Sequence, residues 1–282
     1  LVALHGDTSA LVKALLAFAA KHRTALWPGT THGRRAMPSS AGAWAAAFAD
    51  GLLVTLEALP AVWARVDRSP LGSGAGYGVP LPLDREATAR ALGFATVEHM
   101  PATVQNGRGK LEAAVLSFCS ELAHEVSRLA CDAIVLSGED TGFLVIPPEL
   151  CTGSSLMPHK RNPDVFELTR ARAAKVDADL VAVLQLKSKL HGGYNRDVQF
   201  LKPPLFGGID TTGEMLQMTA ALLPHLAVNR ARSLAALDAG TLSTDEALRR
   251  AEAGVPFRTA YRDVAAAIAR GEAIARPTPS EI

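Results

Sequence analysis

Apolar residues along this chain recur mostly at steps of three and four, the spacing of one face of an α-helix, and seldom alternate. The steadiest run is Leu111, Val115, Phe118, Leu122, Val126, Leu129, Ala133 and Leu136, with every step three or four residues, as in a helical bundle. Leu11, Leu15, Phe18 and Ala19 place an amphipathic helix over Thr8 to Leu26, stopping before Pro28-Gly29. Ser39 and Ser40 read as N-caps of a long helix through Trp44, Phe48, Leu52 and Leu56, kinked at Pro60 and resuming to about Val66. Further helices are expected from Pro163 to about Leu190, from about Gly208 to Leu223, and near Ala227 to Leu237, Asp245 to Ala253 and Pro256 to Arg270. Only Gly142 to Ile146 reads as extended. The stretch Pro70 to Pro82 holds four glycines and three prolines, too many for a regular element, and predicts an ordered coil.

The expected fold class is therefore all-α, a long-helix bundle domain over residues 1–237 and a small helical domain over 238–282. No internal repeat is evident. Apolar stripes wider than one partner helix needs point to oligomerisation. Leu1 is not a methionine and the chain opens directly in a helical pattern, which reads as a piece of a longer protein. The tail Arg276-Pro277-Thr278-Pro279-Ser280 reads as disordered or abruptly cut, because two prolines so close cannot sit inside a helix.

Composition and charge narrow the partners. With 282 residues, 48% of them apolar, the chain can bury a sizeable core, which excludes general disorder. Its 29 Lys plus Arg against 28 Asp plus Glu give a formal net charge of +1, no general field for nucleic acid or an acidic membrane. No uninterrupted apolar run approaches the roughly 20 residues of a bilayer span, and no basic, apolar leader opens the chain. The expectation is a soluble, cytoplasmic protein with neither nucleic acid nor membrane as partner. Cys119, Cys131 and Cys151 lack the close Cys or His spacing of a zinc site and read as reduced and mostly structural.

Chemistry concentrates in Gly153-Ser154-Ser155-Leu156-Met157-Pro158-His159-Lys160-Arg161-Asn162-Pro163-Asp164-Val165-Phe166-Glu167. This reads as a flexible loop feeding a helix, with Asn162 as N-cap, Pro163 at the first helical position and Asp164 complementing the positive helix end. Glycine and serines ahead of a helix N-terminus suit an anion. Lys160 adds a charge that stabilises a bound carboxylate or a developing serine alkoxide. The string resembles, almost position for position, the signature loop of the fumarase/aspartase superfamily, Gly-Ser-Ser-x-Met-Pro-x-Lys-x-Asn followed by a glutamate. The resemblance implies that Ser154 is the base that removes a Cβ proton from a succinyl group, with Lys160 and Asn162 assisting and Glu167 supporting a partner histidine.

Other segments narrow the resemblance. Gly29-Thr30-Thr31-His32-Gly33-Arg34-Arg35-Ala36-Met37-Pro38 is similar to the superfamily's Thr-His loop, which makes His32 the histidine that works with Glu167 and Thr31 a substrate contact. Ser69 to Ala75 followed by Leu83-Asp84-Arg85-Glu86, and Gly254-Val255-Pro256-Phe257-Arg258-x-Ala260, resemble the argininosuccinate lyase branch. So does Tyr194-Asn195-Arg196-Asp197-Val198-Gln199 with Lys202, where Tyr194, Gln199 and Lys202 would hold substrate. Arg108, in Gln105-Asn106-Gly107-Arg108-Gly109-Lys110, is expected to meet a carboxylate. Adenylosuccinate lyase, whose loop often also reads Met-Pro-His-Lys-Arg-Asn-Pro, is the main rival, and a non-catalytic crystallin-like relative is an alternative of another class.

The resemblance implies an elimination that cleaves argininosuccinate to arginine and fumarate, without metal or organic cofactor, in a homotetramer whose active sites are shared between subunits. The sequence departs from the pattern where Arg34 stands for a glutamine, where Phe200 and Leu201 stand for acidic residues, and in lacking the N-terminal domain with its Ser-Arg-Asn-Asp-Gln motif and histidine. The last departure predicts that these 282 residues alone have little activity.

Overall fold

The structure is a computed structural model and describes residues 1–274; the expected character of Arg276 to Ser280 lies outside the described residues. In chain order the elements are α1 (Val2–His22), β1 (Leu26–Thr31), β2 (Arg34–Ser40), α2 (Ala41–Leu56), α3 (Leu59–Val66), β3 (Arg68–Ser69), α4 (Arg85–Leu92), β4 (Thr96–Val97), α5 (Pro101–Asn106) and α6 (Lys110–Ser137). There follow β5 (Leu144–Val145), β6 (Thr152–Gly153), β7 (Arg161–Asn162), α7 (Asp164–Lys187), α8 (Lys202–Leu222), β8 (Ala227–Val228), α9 (Arg230–Ala235), α10 (Ser243–Glu252) and α11 (Phe257–Ala269). Of the described residues 63% are helical, the all-α class expected. Among the described residues four two-stranded sheets pair β1 with β2, β3 with β4, β5 with β8 and β6 with β7.

Two compact units interleave along the sequence. The first comprises Leu1–Val12, Asp50–Cys131 and Val165–Ala220. Here Ala113 and Leu116 of α6 pack with Val183 of α7 and with Val198 and Leu201 of the 3-10 turn Arg196–Leu201. A side chain on Gly208 would run into Leu116 Cδ2, so glycine lets α8 close on α6. Asp177 of α7 accepts hydrogen bonds from Ser120 (2.5 Å) and His124 (2.8 Å) of α6. Burial raises the Asp177 pKa, but these two bonds together with charge attraction to His124 outweigh it and leave the carboxyl below its ordinary value. The coil Pro70 to Pro82 is irregular as expected, with Gly72, Gly74, Gly76 and Gly78 all at positive φ.

The second unit comprises Lys13–Ala49, Asp132–Asp164 and the described residues from Ala221 onward. Gly42 of α2 meets α1 closely, its missing Cβ position lying 2.6 Å from Arg23 Cα and 2.8 Å from the Ala19 carbonyl oxygen. Ser40 Oγ accepts the Ala43 N–H at 3.0 Å and so caps α2. Ser39 is still in β2. Helices α10 and α11 share a small core of Ala247, Ala260 and Val264.

Boundaries differ from expectation in informative ways. Helix α1 begins at Val2 and ends at His22, because residues from Leu26 onward pair as strand β1. Pro60 starts α3 at its N1/N2 position after a break from α2 instead of kinking one helix. Helix α8 starts at Lys202, earlier than Gly208. The short α4 and α5 were not expected. On length and composition, α1 and the stretch Ala41–Val66 are apolar enough to cross a bilayer, their charged residues being sparse. In α1, Leu4, Leu11, Leu15 and Phe18 are buried, the one-sided burial of an amphipathic helix. Helix α7 leaves Leu168 (57%) and Val181 (53%) exposed, apolar surface that the chain itself does not cover.

Candidate active site

The signature segment is an arch on a two-rung ladder. Thr152 pairs with Asn162 and Gly153 with Arg161, so residues 154–160 are lifted between β6 and β7. Ser154 Oγ accepts N–H bonds from Leu156 (3.2 Å) and Met157 (3.0 Å), and the Met157 carbonyl accepts the Lys160 N–H at 3.0 Å. Two donors on one hydroxyl oxygen favour its deprotonated form. At the foot, the Thr152 hydroxyl donates to the Asp164 carboxylate. Ser154 and Asn162 are half-buried, while Ser155 through Lys160 are exposed.

Asn162 does not cap α7. It lies in β7, held extended by pairing and by the proline that follows it, so the helix begins only at Asp164. Phe166, 1% exposed, anchors the first turn, on which Glu167 faces solvent. Cys151, just ahead of the arch, has its thiol pKa raised, chiefly by burial.

Thr31 and His32 sit at the tip of the β1–β2 hairpin, where sequence reasoning placed the end of a helix and a loop. Thr31 pairs with Arg34, leaving His32 (φ 53) and Gly33 (φ 68) as the two turn residues. Positive φ at both is the type I′ turn that suits the strand twist. His32 and Arg34 are exposed. The register shifts between Pro28 and Thr30, a bulge that bends the hairpin. Beside it is a cleft of about 670 Å³ whose walls include Trp27, Trp44, Asp132, Asp140 and Phe143. Trp44 Nε1 donates to Asp132 Oδ2 at 3.0 Å. Among the described residues no hydrogen bond joins this hairpin tip to the Ser154 arch.

In the first unit, Tyr194 and Gln199 come together, Gln199 Nε2 donating to Tyr194 Oη at 3.3 Å. Lys202 follows at the start of α8, exposed. Leu201, standing where the resemblance leads one to expect an acid, is fully buried and serves the core. Arg108 is engaged locally, its Nε 3.1 Å from Glu112 Oε1, while Glu112 Oε2 takes the Gly109 N–H at 2.7 Å. Sequence reasoning missed Asn106, whose Oδ1 accepts the Gly193 N–H at 2.8 Å beside Tyr194. It also missed Thr152, whose tie to Asp164 no local pattern announces. Among the described residues, no group of three or more His, Cys, Asp or Glu is set to hold a metal ion.

Comparison with known proteins gives the family. Residues 2–177 match the family described as Lyase. The chain is 42% identical over 255 residues to argininosuccinate lyase of Thermotoga neapolitana, covering 90% of the chain and 64% of that protein. It is 44% identical over 239 residues to argininosuccinate lyase of Stenotrophomonas maltophilia, covering 85% and 55%. The chain thus spans about three-fifths of the length of such curated relatives. Among solved structures, an EDDS lyase variant with bound fumarate superposes with a TM-score of 0.81 at 24% identity, over 96% of this chain and 56% of that one. The class II fumarase of Schistosoma mansoni gives 0.81 at 14% identity, over 96% and 60%.

Proposed function

The chain belongs to the lyase family, and from that premise we propose that the protein eliminates fumarate from argininosuccinate, leaving arginine, with Ser154 as the base. The observation that supports this most is the pair of backbone N–H groups, of Leu156 and Met157, on Ser154 Oγ. A Cβ proton beside a carboxylate is very weakly acidic, so the reaction needs a strong base and a site that stabilises the dianion formed. As alkoxide, Ser154 takes the Cβ proton, and the electron pair spreads into the adjacent carboxylate. That pair then forms the carbon–carbon double bond while the C–N bond breaks, its electrons leaving on the guanidinium nitrogen, which takes up a proton. Lys160 and Asn162 offset the negative charge. His32, oriented by Glu167, hydrogen-bonds the substrate or delivers the proton to the leaving nitrogen.

Thr31, Tyr194, Gln199, Lys202 and Arg108 would hold the substrate's charged ends, and no metal or organic cofactor enters the scheme. Four copies would assemble in the cytoplasm, the Thr-His hairpin, the signature arch and the Tyr194 segment of different subunits meeting at each site. Residues 1–237 would carry the bundle and 238–282 the small helical domain. The test is Ser154→Ala in the native-length protein, followed by fumarate absorbance with argininosuccinate and, separately, adenylosuccinate. Turnover of argininosuccinate should fall by roughly 10²–10⁴. Retained turnover would move the base, Ser155 being the nearest candidate, and preference for adenylosuccinate would replace the substrate.

A further inference from the structure

We propose that Asn106 is a positioning residue for the substrate-holding pair Tyr194 and Gln199, an inference that rests on the role given to that pair above. The segment from Leu190 to Asn195 has no regular structure of its own, so its backbone is fixed by the bonds it makes elsewhere. Within it, Asn195 Nδ2 donates to the carbonyls of His191 (3.0 Å) and Gly193 (3.2 Å). Those bonds shape the loop but do not locate it. The bond that does comes from the last residue of α5, Asn106, whose Oδ1 accepts the Gly193 N–H at 2.8 Å across 87 residues of chain.

Gly193 has φ +89, and a Cβ there would lie 3.0 Å from Tyr77 Oη. Asn106 therefore seizes the loop where only glycine fits, with the Tyr77 ring tip set against the same residue. Tyr194 is the next residue, and its hydroxyl accepts from Gln199 at 3.3 Å, a bond long enough to be lost if the Gly193–Tyr194 peptide turns. Asn106 touches neither Tyr194 Oη nor Gln199 by hydrogen bond among the described residues, so its effect runs through the backbone.

The native-length enzyme decides this through four variants, Asn106→Leu, which removes the acceptor, Asn106→Asp, which keeps it, Tyr194→Phe and Gln199→Ala. Asn106→Leu should raise KM for argininosuccinate about tenfold with kcat changed less than about twofold, the pattern of lost uniform binding. Asn106→Asp should restore KM to within about twofold of the unaltered enzyme. If Asn106→Leu lowers the thermal midpoint, Asn106→Ala, without the apolar bulk, is read in its place. A raised KM for Tyr194→Phe with no change in either acceptor-free variant overturns the proposal. So does a loss shared equally by kcat, KM and thermal stability, which is a merely structural role. If Tyr194→Phe and Gln199→Ala both leave KM unchanged, the reading of the pair fails, and the role of Asn106 falls with it.

Discussion

Gly42→Ala and Gly6→Ala make the same chemical change in two helices and should move stability in opposite directions. At Gly42 the new methyl would sit 2.6 Å from Arg23 Cα, 2.8 Å from the Ala19 carbonyl oxygen and 3.0 Å from the Arg23 nitrogen. All three are backbone atoms, so no side chain can swing aside, and relief requires the end of α1 to retreat by close to 1 Å, since carbon contacts are favourable only near 3.5–4.0 Å. Overpacking of this kind costs about 1–3 kcal/mol. Against it stands the better helix propensity of alanine, at most about 1 kcal/mol and less in a first turn whose N–H groups lack helical partners. The net expectation is a loss of roughly 1–2 kcal/mol. At Gly6, in α1, nothing lies within 4 Å of the added methyl, so only propensity acts and the variant should gain about 0.5–1 kcal/mol. Urea midpoints measured at one protein concentration give the comparison. Equal shifts, or a stabilised Gly42→Ala, would show that the close approach of α1 and α2 is not what requires glycine there. Because Ser40, the cap of α2, ends the strand that carries the hairpin back from His32, Gly42→Ala should also lower turnover more than its stability loss explains.

Further outcomes follow from other parts of the structure. His22 is 6% exposed with neither ring nitrogen hydrogen-bonded among the described residues, and burial, then Lys21 and Arg230, hold its pKa below the ordinary 6.5. The unfolded chain therefore takes up a proton first as pH falls below about 6.5. Stability should decline from pH 7.5 to 5.5 in urea titrations, and His22→Phe should flatten that decline; an unchanged slope sinks the argument. Asp177 has the opposite linkage, its lowered pKa giving stability that is present above the ordinary 3.8 and lost as pH falls through the folded value. Asp177→Asn should blunt acid unfolding below pH 4. Light scattering of the native-length protein should give four times the chain mass, Leu168 and Val181 of α7 being covered by other copies, and a monomer at micromolar concentration would contradict this.

How much was legible depends on whether a residue's environment is set by its own period or by distant chain. The α6 stripe was readable because Phe118, Leu122, Val126 and Ala133 are all buried at 2% exposure or less, burial that repeats at helical spacing. The Ser154 arch was readable as a string of residue types, yet its ladder was not, since two rungs give no alternation to see. The β1–β2 hairpin was hidden because Pro28, Gly29 and Pro38 interrupt any strand pattern, although His32-Gly33 holds the turn signal in plain form. Helix α4 left signals that a search for apolar periodicity passes over, Asp84 Oδ1 accepting the Ala87 N–H at 2.8 Å and Gly93 at φ 80 closing the helix. Asn106 could not have been found, because its acceptor matters only once Gly193 has been brought to it.

The Ser154 arch has both feet fastened to the start of one helix: the ladder ends at Asn162, and Thr152 is tied to Asp164. A span pinned at both ends can rise or flatten but cannot slide. Any opening of the arch is therefore confined to a hinge about the two-rung base, and under the role proposed for Ser154 that confinement would keep its hydroxyl on one line of approach to the substrate. The same pinning gives the hydrogen-bonded amides of Leu156, Met157 and Lys160 a common fate in hydrogen exchange: they should open together, faster than the α7 amides that follow, with one shared free energy.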